Sequence, residues 1–208
     1  MTTTTPPSLL VLHGLRLVGF KAADKVAELV GLAVDDVEAA LKGYAEGGLA
    51  QYREGRISGW SLTAQGRAEG ERQLAAELDQ ARCRDEVNGC YREFLALNQQ
   101  MLAVCTDWQM SDSQTLNEHL DASYDAKVIA RLAELDNQVQ PICARLGQRL
   151  VRFDGYSGRL AGALAKVQAG ETEWFTKPMI ASYHTVWFEM HEDLLATLNI
   201  DRASEPSP

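Results

Sequence analysis

Apolar residues recur every three or four positions through the middle of the chain, and this period constrains the fold more than any other feature of the sequence. The first stripe comprises Cys83, Val87, Cys90, Phe94, Leu97, Met101, Val104 and Trp108. The second comprises Val128, Leu132, Leu135, Val139, Ile142, Leu146, Leu150 and Phe153. Alternating spacings of three and four are typical of helices with one face packed against other helices. The pattern predicts two long helices, the second kinked or split at Pro141.

Two further helices are predicted in the second half of the chain. One is expected over about 158–169, with a face of small apolar residues. Another is expected over about 176–200, with Pro178 in its first turn, a position that tolerates proline. The polar stretch 106–124 connects the two long helices. Four helices with periodic apolar faces predict a four-helix bundle over residues 81–200.

The first part of the chain has shorter helical patterns punctuated by glycine. An apolar helix is expected to begin near Ser8 and to end at Gly19, because glycine is a frequent helix terminator. A second periodic run closes at Gly31, and a third follows after a three-residue turn and stops at Gly47 and Gly48. Two short helices joined by a tight turn with a glycine predict a helix-turn-helix.

The period changes after the third helix. Residues 49–52 and 57–62 read as two short strands around the glycine-containing turn 53–56, which predicts a β-hairpin. Thr63 is expected to cap a new helix with Leu74 and Leu78 on its inner face. The predicted fold is therefore mainly α-helical, with one small hairpin in its first part.

The hairpin and its flanks carry a family resemblance. The residues that carry it are Gly48-Leu49, Arg56-Ile57-Ser58-Gly59-Trp60 and Leu62-Thr63-Ala64-Gln65-Gly66-Arg67. With them, residues 8–80 resemble the winged helix-turn-helix domains of MarR-type and PadR-type bacterial transcriptional regulators. They are also similar to winged-helix segments joined to phosphoenolpyruvate-handling enzymes of actinobacteria. The resemblance implies an N-terminal winged-helix domain, with the hairpin as its wing.

The resemblance also implies double-stranded DNA as a partner. Residues 34–46 would then be the helix that enters the major groove, and Arg53 and Arg56 would touch phosphate or the minor groove. The expected DNA-binding residues are Asp35, Asp36, Ala39, Lys42, Arg53 and Arg56. Such regulators usually bind two half-sites, so a homodimer is expected, and the stripe at 83–108 offers a seam for either internal packing or dimerisation.

The charges of the chain give only partial support for DNA binding. The formal net charge is −9, and the expected recognition helix begins with Asp35, Asp36 and Glu38 against a single Lys42. Acidic residues in a first turn are also explained by the helix dipole alone. A positive patch is still possible from the wing together with Arg16, Lys21, Lys25 and Arg67. The alternative is an adaptor that does not bind DNA and uses the winged helix to bind another protein, such as a metabolic enzyme.

The aromatic helix near the C-terminus is the second candidate site. His184, Trp187 and His191 share one face of it, so both imidazoles are expected to point into the bundle. A pocket for a small-molecule effector would be formed by Trp108, Tyr183, His184, Trp187 and His191. A metal site completed by His119 or by carboxylates of 106–125 is another interpretation, and histidines satisfied within the core are a third.

The sequence gives little support for catalysis. It contains no His-Glu-x-x-His, no Gly-x-Ser-x-Gly and no glycine-rich phosphate loop, so we expect neither an enzyme nor a cofactor. Four cysteines without Cys-x-x-Cys spacing are expected to be reduced thiols on buried helix faces. The chain shows no secretory signal or membrane span, which favours a cytoplasmic protein.

Overall fold

The computed structural model describes residues 2–112 and 114–205, apart from the side chain of Ser204. The first part of the chain forms α1 (Pro7–Val18), β1 (Phe20–Lys21), α2 (Ala23–Val30), α3 (Val34–Glu46), β2 (Ala50–Arg53), β3 (Gly59–Leu62) and α4 (Ala64–Ala81). The predicted short helices and the hairpin are confirmed. The fold is mainly helical, with one small antiparallel sheet in the described residues.

The sheet contains one strand that the sequence did not reveal. Its order is β1-β3-β2, and β3 pairs with both neighbours. Phe20 lies opposite Ser61 in the first pair, and Ala50 lies opposite Leu62 in the second. Strand β1 has only two residues, too few to show a period. It ties the chain after α1 to the hairpin.

Two glycines fix the turns that shape this part of the fold. Gly31 ends α2 in the left-handed conformation, at φ +67° and ψ +32°, which costs glycine little. Gly66 allows the start of α4 to approach the backbone before β2, since a Cβ there would lie 1.8 Å from the carbonyl oxygen of Leu49. The hydroxyl of Thr63 accepts a hydrogen bond from the Gly66 N–H at 3.0 Å. The predicted Thr63 cap is therefore confirmed.

A continuous apolar core joins the short helices to the sheet. Its buried members are Val11, Leu15, Ala23, Val26, Ala27, Val37, Leu41 and Ala50. Trp60 and Leu62 of β3 pack against it. Helix α3 contributes Val37 and Leu41 because these residues are one turn apart and share a face, which leaves its opposite face in solvent.

The rest of the chain is helical. It forms α5 (Arg84–Gln109), α6 (Ala122–Arg149), a 3-10 turn (Val151–Phe153), α7 (Asp154–Gln168), α8 (Glu173–Thr176), α9 (Tyr183–Leu198) and a second 3-10 turn (Arg202–Ser204). Every member of the two predicted apolar stripes is buried. Helix α6 runs unbroken through Pro141, so the predicted split is wrong. Packing of its buried face offsets the missing backbone hydrogen bond.

The last two helices begin elsewhere than predicted. Helix α7 starts at Asp154, four residues before the expected start. The long helix expected from Thr176 begins only at Tyr183. Lys177, the residue before Pro178, has an extended ψ of 124°, as the proline ring requires of its predecessor. The hydroxyl of Ser182 then accepts from the Thr185 N–H at 3.3 Å and starts the new helix.

All four cysteines are free and buried. Cys90, Cys105 and Cys143 lie on helices as predicted, whereas Cys83 lies in the link between α4 and α5. Burial raises the pKa of Cys105 to about 12, which keeps this thiol protonated at neutral pH. None of the described helices combines the length and the apolar character needed to cross a membrane.

Residue contacts divide the chain into two compact units. The first unit contains the residues up to Arg84 together with Leu150–Arg152 and Glu192–Glu205. The second contains Asp85–Arg149 and Phe153–His191. Helix α9 therefore contributes its first nine residues, Tyr183 to His191, to the second unit and the remainder to the first. The predicted division into domains at 8–80 and 81–200 stays a prediction.

Candidate functional site

The exposed face of α3 is acidic. Asp35, Asp36, Ala39 and Lys42 are all exposed, as a helix read by a partner requires. Lys42 Nζ lies 3.2 Å from a carboxylate oxygen of Glu38, so much of its charge is neutralised locally. This surface presents more negative than positive charge.

The β2–β3 hairpin presents the opposite charge. Arg53 and Arg56 are both exposed, and the guanidinium of Arg53 lies 5.8 Å from the centre of the Phe20 ring. The turn is braced by Ser58, whose hydroxyl accepts from the Gly55 N–H at 3.2 Å. Arg53 therefore has a defined support on β1, and the hairpin carries two cations within four residues.

Three other cations considered for a DNA-binding patch, Lys25, Arg16 and Arg67, lie close to carboxylates. Lys25 Nζ is 2.9 Å from Glu28, which neutralises it on the surface. Arg16 and Arg67 line a cleft together with Glu71 and Glu192. The additional patch considered from the sequence therefore loses Lys25 to a local pair, while Arg16 and Arg67 share their surroundings with carboxylates.

Aromatic side chains of α9 are packed in the interior of the second unit. Tyr183, Trp187 and His191 are buried. The rings of Trp187 and His191 lie 4.6 Å and 5.4 Å from that of Phe94, and the indole N–H of Trp187 donates to Asn98 Oδ1 at 2.9 Å. Three of the five predicted effector residues are therefore brought together, as parts of a filled core.

A buried hydrogen bond lies beside this aromatic cluster. The hydroxyl of Tyr183 donates to Asp136 Oδ1 at 3.1 Å, and Gln140 Nε2 donates to both oxygens of the same carboxyl at 3.1 Å. Burial raises the pKa of Asp136 and of Tyr183 because it disfavours their charged forms. Asp136 was not identified from the sequence, although a carboxylate between buried stripe residues Leu135 and Val139 is a visible signal.

Two predicted effector residues lie apart from that cluster. His184 is exposed, so the prediction that its imidazole points into the core is wrong. It sits in the first turn of α9 at the edge of the buried face, next to buried Tyr183. Trp108 stacks instead on Phe175, with ring centres 4.4 Å apart, and its ring lies 4.3 Å from that of His119 at a tilt of 39°. The assignment of these five residues to an effector pocket stays a prediction.

The metal interpretation finds no support among the described residues. His119 Nδ1 lies 3.0 Å from Asp125 Oδ2, and Asn117 completes a small hydrogen-bonded group with them. Among residues 2–112 and 114–205, no three histidine, cysteine or acidic side chains are close enough to hold a metal ion together.

An ionic network in the first unit was not found from the sequence. Arg152 bonds with Glu77, at 3.2 Å, and with Asp193; His13 Nε2 lies 2.9 Å from Asp193. The side chains of Arg152, Glu77 and Asp193 are only 3%, 4% and 3% exposed. Thr197 joins through its hydroxyl, which accepts from Arg152 at 2.9 Å. The available signal was a set of charged residues on otherwise apolar helical faces.

The comparisons with known proteins add no relative to this description. The chain matches no protein-family model, no curated protein and no solved structure. The functional argument therefore depends on the residues and geometry given above.

Proposed function

We propose that the chain is a winged-helix transcriptional regulator that binds double-stranded DNA through its hairpin. The order helix, strand, helix, helix, hairpin, helix, with the sheet order β1-β3-β2, supports a winged helix over the first part of the chain. The observation that carries the proposal is the exposed pair Arg53 and Arg56 on a hairpin that follows α2 and α3. The helices of the second unit are proposed to form a four-helix bundle.

The wing supplies affinity in this proposal. Phosphate contacts from arginine release counterions and account for most binding that does not depend on sequence. Arg53 is supported by the Phe20 ring, which restricts the positions of its guanidinium. Arg56 lies beyond the end of β2, within the turn. We therefore expect both cations to contact a duplex backbone or a minor groove.

Helix α3 supplies discrimination rather than affinity. Asp35 and Asp36 repel phosphate, but a carboxylate accepts a hydrogen bond from the amino group of cytosine in the major groove. Lys42, one turn after Glu38, lies on the same exposed face. We therefore expect weak binding to random DNA and a preference for sites with cytosine opposite the start of α3.

A homodimer and an effector complete the proposed mechanism. Two winged helices would read two half-sites, and an effector bound in the second unit would change affinity for the operator. These parts rest on the resemblance alone.

A protein-binding adaptor is the second candidate, favoured by the acidic face of α3. Asp35, Asp36 and Glu38 would complement a basic surface on another protein, and the winged helix would serve as a docking unit. The two candidates differ in one measurable property, which is the response of DNA binding to salt.

The test is fluorescence anisotropy with a random duplex of about 30 base pairs, between about 50 and 200 mM salt. The regulator should bind at the lower salt and lose affinity steeply as salt rises. Changing Arg53 and Arg56 together to Ala should weaken binding about tenfold or more and reduce the salt slope by about 2. The matched control, Arg92→Ala with Lys127→Ala, removes two exposed cations from the second unit and should leave binding nearly unchanged.

A second variant tests the position of α3. Changing Asp35 and Asp36 to Asn should strengthen binding to random DNA if that helix faces the duplex. Wild-type protein that fails to bind at low salt, or a wing variant that binds as the wild type does, would reject the regulator. Unchanged binding by the Asp35→Asn, Asp36→Asn variant would remove α3 from the interface and leave the wing alone.

A further inference from the structure

A polar cleft lies within the first unit, between α1, α4 and the end of α9. Its lining includes Arg16, Arg67, Glu71, Glu192, Asp201 and Arg202. A smaller and more enclosed cavity shares Arg16, Arg67 and Glu71 with this cleft and reaches His13. The two spaces therefore meet at the same arginines.

The cleft is lined by three arginines and three carboxylates, but these are not all paired with one another. Arg202 lies 2.5 Å from Glu192, so these two neutralise each other. Asp201 accepts a hydrogen bond from the Ala203 N–H at 3.0 Å at the start of the last turn. Glu71 is the carboxylate paired with Arg16, but its nearest oxygen is 3.9 Å from the Arg16 guanidinium, too long for a hydrogen bond.

Both arginines retain unused donors. The Nε of Arg16 is buried and has no hydrogen-bond partner among the described residues. Arg67 is exposed and forms no ion pair within the part of the chain that the structure describes. Burial and the neighbouring charge of Arg67 lower the pKa of Arg16. Two guanidinium groups thus face one space in which the available carboxylate is poorly placed.

His13 gives an independent sign of a missing ligand atom. It is 4% exposed and lines the inner cavity. Its Nε2 is engaged by Asp193 at 2.9 Å, while its Nδ1 is buried without a partner among the described residues. Buried polar atoms in native proteins nearly always have a partner, in the protein or in a bound molecule.

We propose that this cleft binds a small oxyanion, a carboxylate or a phosphate, held by Arg16 and Arg67. Guanidinium groups are well suited to such ligands because they donate paired hydrogen bonds to two oxygens at once. Leu195 and Ile200 border the cleft and provide an apolar contact for a short carbon chain. The site includes neither Arg53 nor Arg56 of the wing and none of the predicted effector residues, so it does not depend on DNA binding.

The test is a thermal-shift and calorimetry titration of the full chain with inorganic phosphate and, separately, with succinate. Sodium chloride at matched ionic strength is the reference. At least one oxyanion should raise the melting temperature and bind with a saturable isotherm, whereas chloride should not. The arm that responds identifies the ligand as a phosphate or a carboxylate.

Arg67→Gln is the decisive variant because Arg67 is exposed and its loss should leave the fold intact. It should weaken oxyanion binding about tenfold or more, and Arg67→Lys should recover part of the affinity. Arg72→Gln, on the same helix but paired with Glu69 outside this cleft, is the matched control and should bind as the wild type does. Equal binding by Arg67→Gln and wild type, or no response to either anion beyond that of chloride, would overturn the proposal.

Discussion

The two units solve the problem of buried polar groups in different ways. The first unit buries full charges, with Arg152 held between Glu77 and Asp193 and a histidine at the edge of the network. The second unit buries aromatic rings and closes its polar groups in hydrogen bonds, such as Trp187 to Asn98 and Tyr183 to Asp136, without buried ion pairs among the described residues. A network of charges depends on every member, because removing one leaves another unpaired. An aromatic core loses contacts more gradually, in proportion to the atoms removed.

The largest expected effect therefore lies in the first unit. Arg152→Met should lower the free energy of unfolding by about 3–5 kcal/mol, since Glu77 and Asp193 would remain buried without their cation. The measurement is urea unfolding, with hydrogen exchange to localise the loss to first-unit amides. Arg131→Met is the control: its pair with Asp107 is exposed and should contribute no more than about 1 kcal/mol. Equal losses of unfolding free energy in the two variants would show that the buried network stabilises the protein no more than an exposed ion pair does.

A second contrast between the two units concerns the space around a buried glycine. Gly66→Ala should cost about 3 kcal/mol, because the new Cβ would meet the backbone oxygen of Leu49, which cannot rotate away. Gly147→Ala in the second unit would meet Oδ1 of Asp154 at 2.9 Å and its Cα at 3.2 Å. It should cost about 1 kcal/mol, since the side chain can move and the backbone contact is far less severe than that of Gly66. Thermal unfolding of both variants measures the difference.

The exposed Gly43 provides the control for these substitutions. It lies inside α3 with open space where a Cβ would go, so Gly43→Ala should stabilise the protein by about 0.5–1 kcal/mol. A destabilising Gly43→Ala, or a harmless Gly66→Ala, would contradict the assigned packing around α3 and α4.

A smaller effect is expected from the hydrogen bond in the second unit. Tyr183→Phe removes the hydroxyl that donates to Asp136 and keeps the ring, so it should cost about 1–2 kcal/mol. Chemical unfolding monitored by the fluorescence of the second unit's tryptophans, such as Trp108 and Trp187, measures this loss of stability. A loss of unfolding free energy as large as that of Arg152→Met would contradict the proposed difference between the interiors of the two units.

The smallest effect is the dependence of stability on pH set by Asp136. Its pKa is raised in the folded state by burial, so the folded chain holds this proton more tightly than the unfolded chain does. Stability should therefore fall as pH rises from the ordinary carboxyl range, about 4, through the raised pKa, and then level off. Asp136→Asn should lack this loss. Parallel stability curves for the two proteins between pH 4 and neutral pH, about 7, would contradict it.

Most of the fold could be predicted from local sequence patterns. The two apolar stripes and the Thr63 cap depend on residues within a few positions of each other, and the sequence predicted them correctly. The start of α9 was missed because Pro178 forces its neighbour out of helical geometry while Ser182 begins a new helix. The exposure of His184 was missed because helical period does not show where neighbouring elements end.

Long-range partners could not be predicted. His13 and Asp193 are separated by 180 positions, and no local period links them. The same holds for Glu77 and Arg152, which are 75 positions apart. The candidate wing was predicted from adjacent residues, whereas the cleft of Arg16 and Arg67 required the end of α9 to be placed beside them.

The composition of the first unit from three separate chain segments has a consequence for the order of folding during translation. His13 and Glu77 leave the ribosome well before Asp193, which lies 180 positions after His13. At about 5–20 residues per second, the early helices wait many seconds before their charged partners arrive. A nascent chain of this protein therefore carries an unfinished interior in its first unit until Asp193 has emerged.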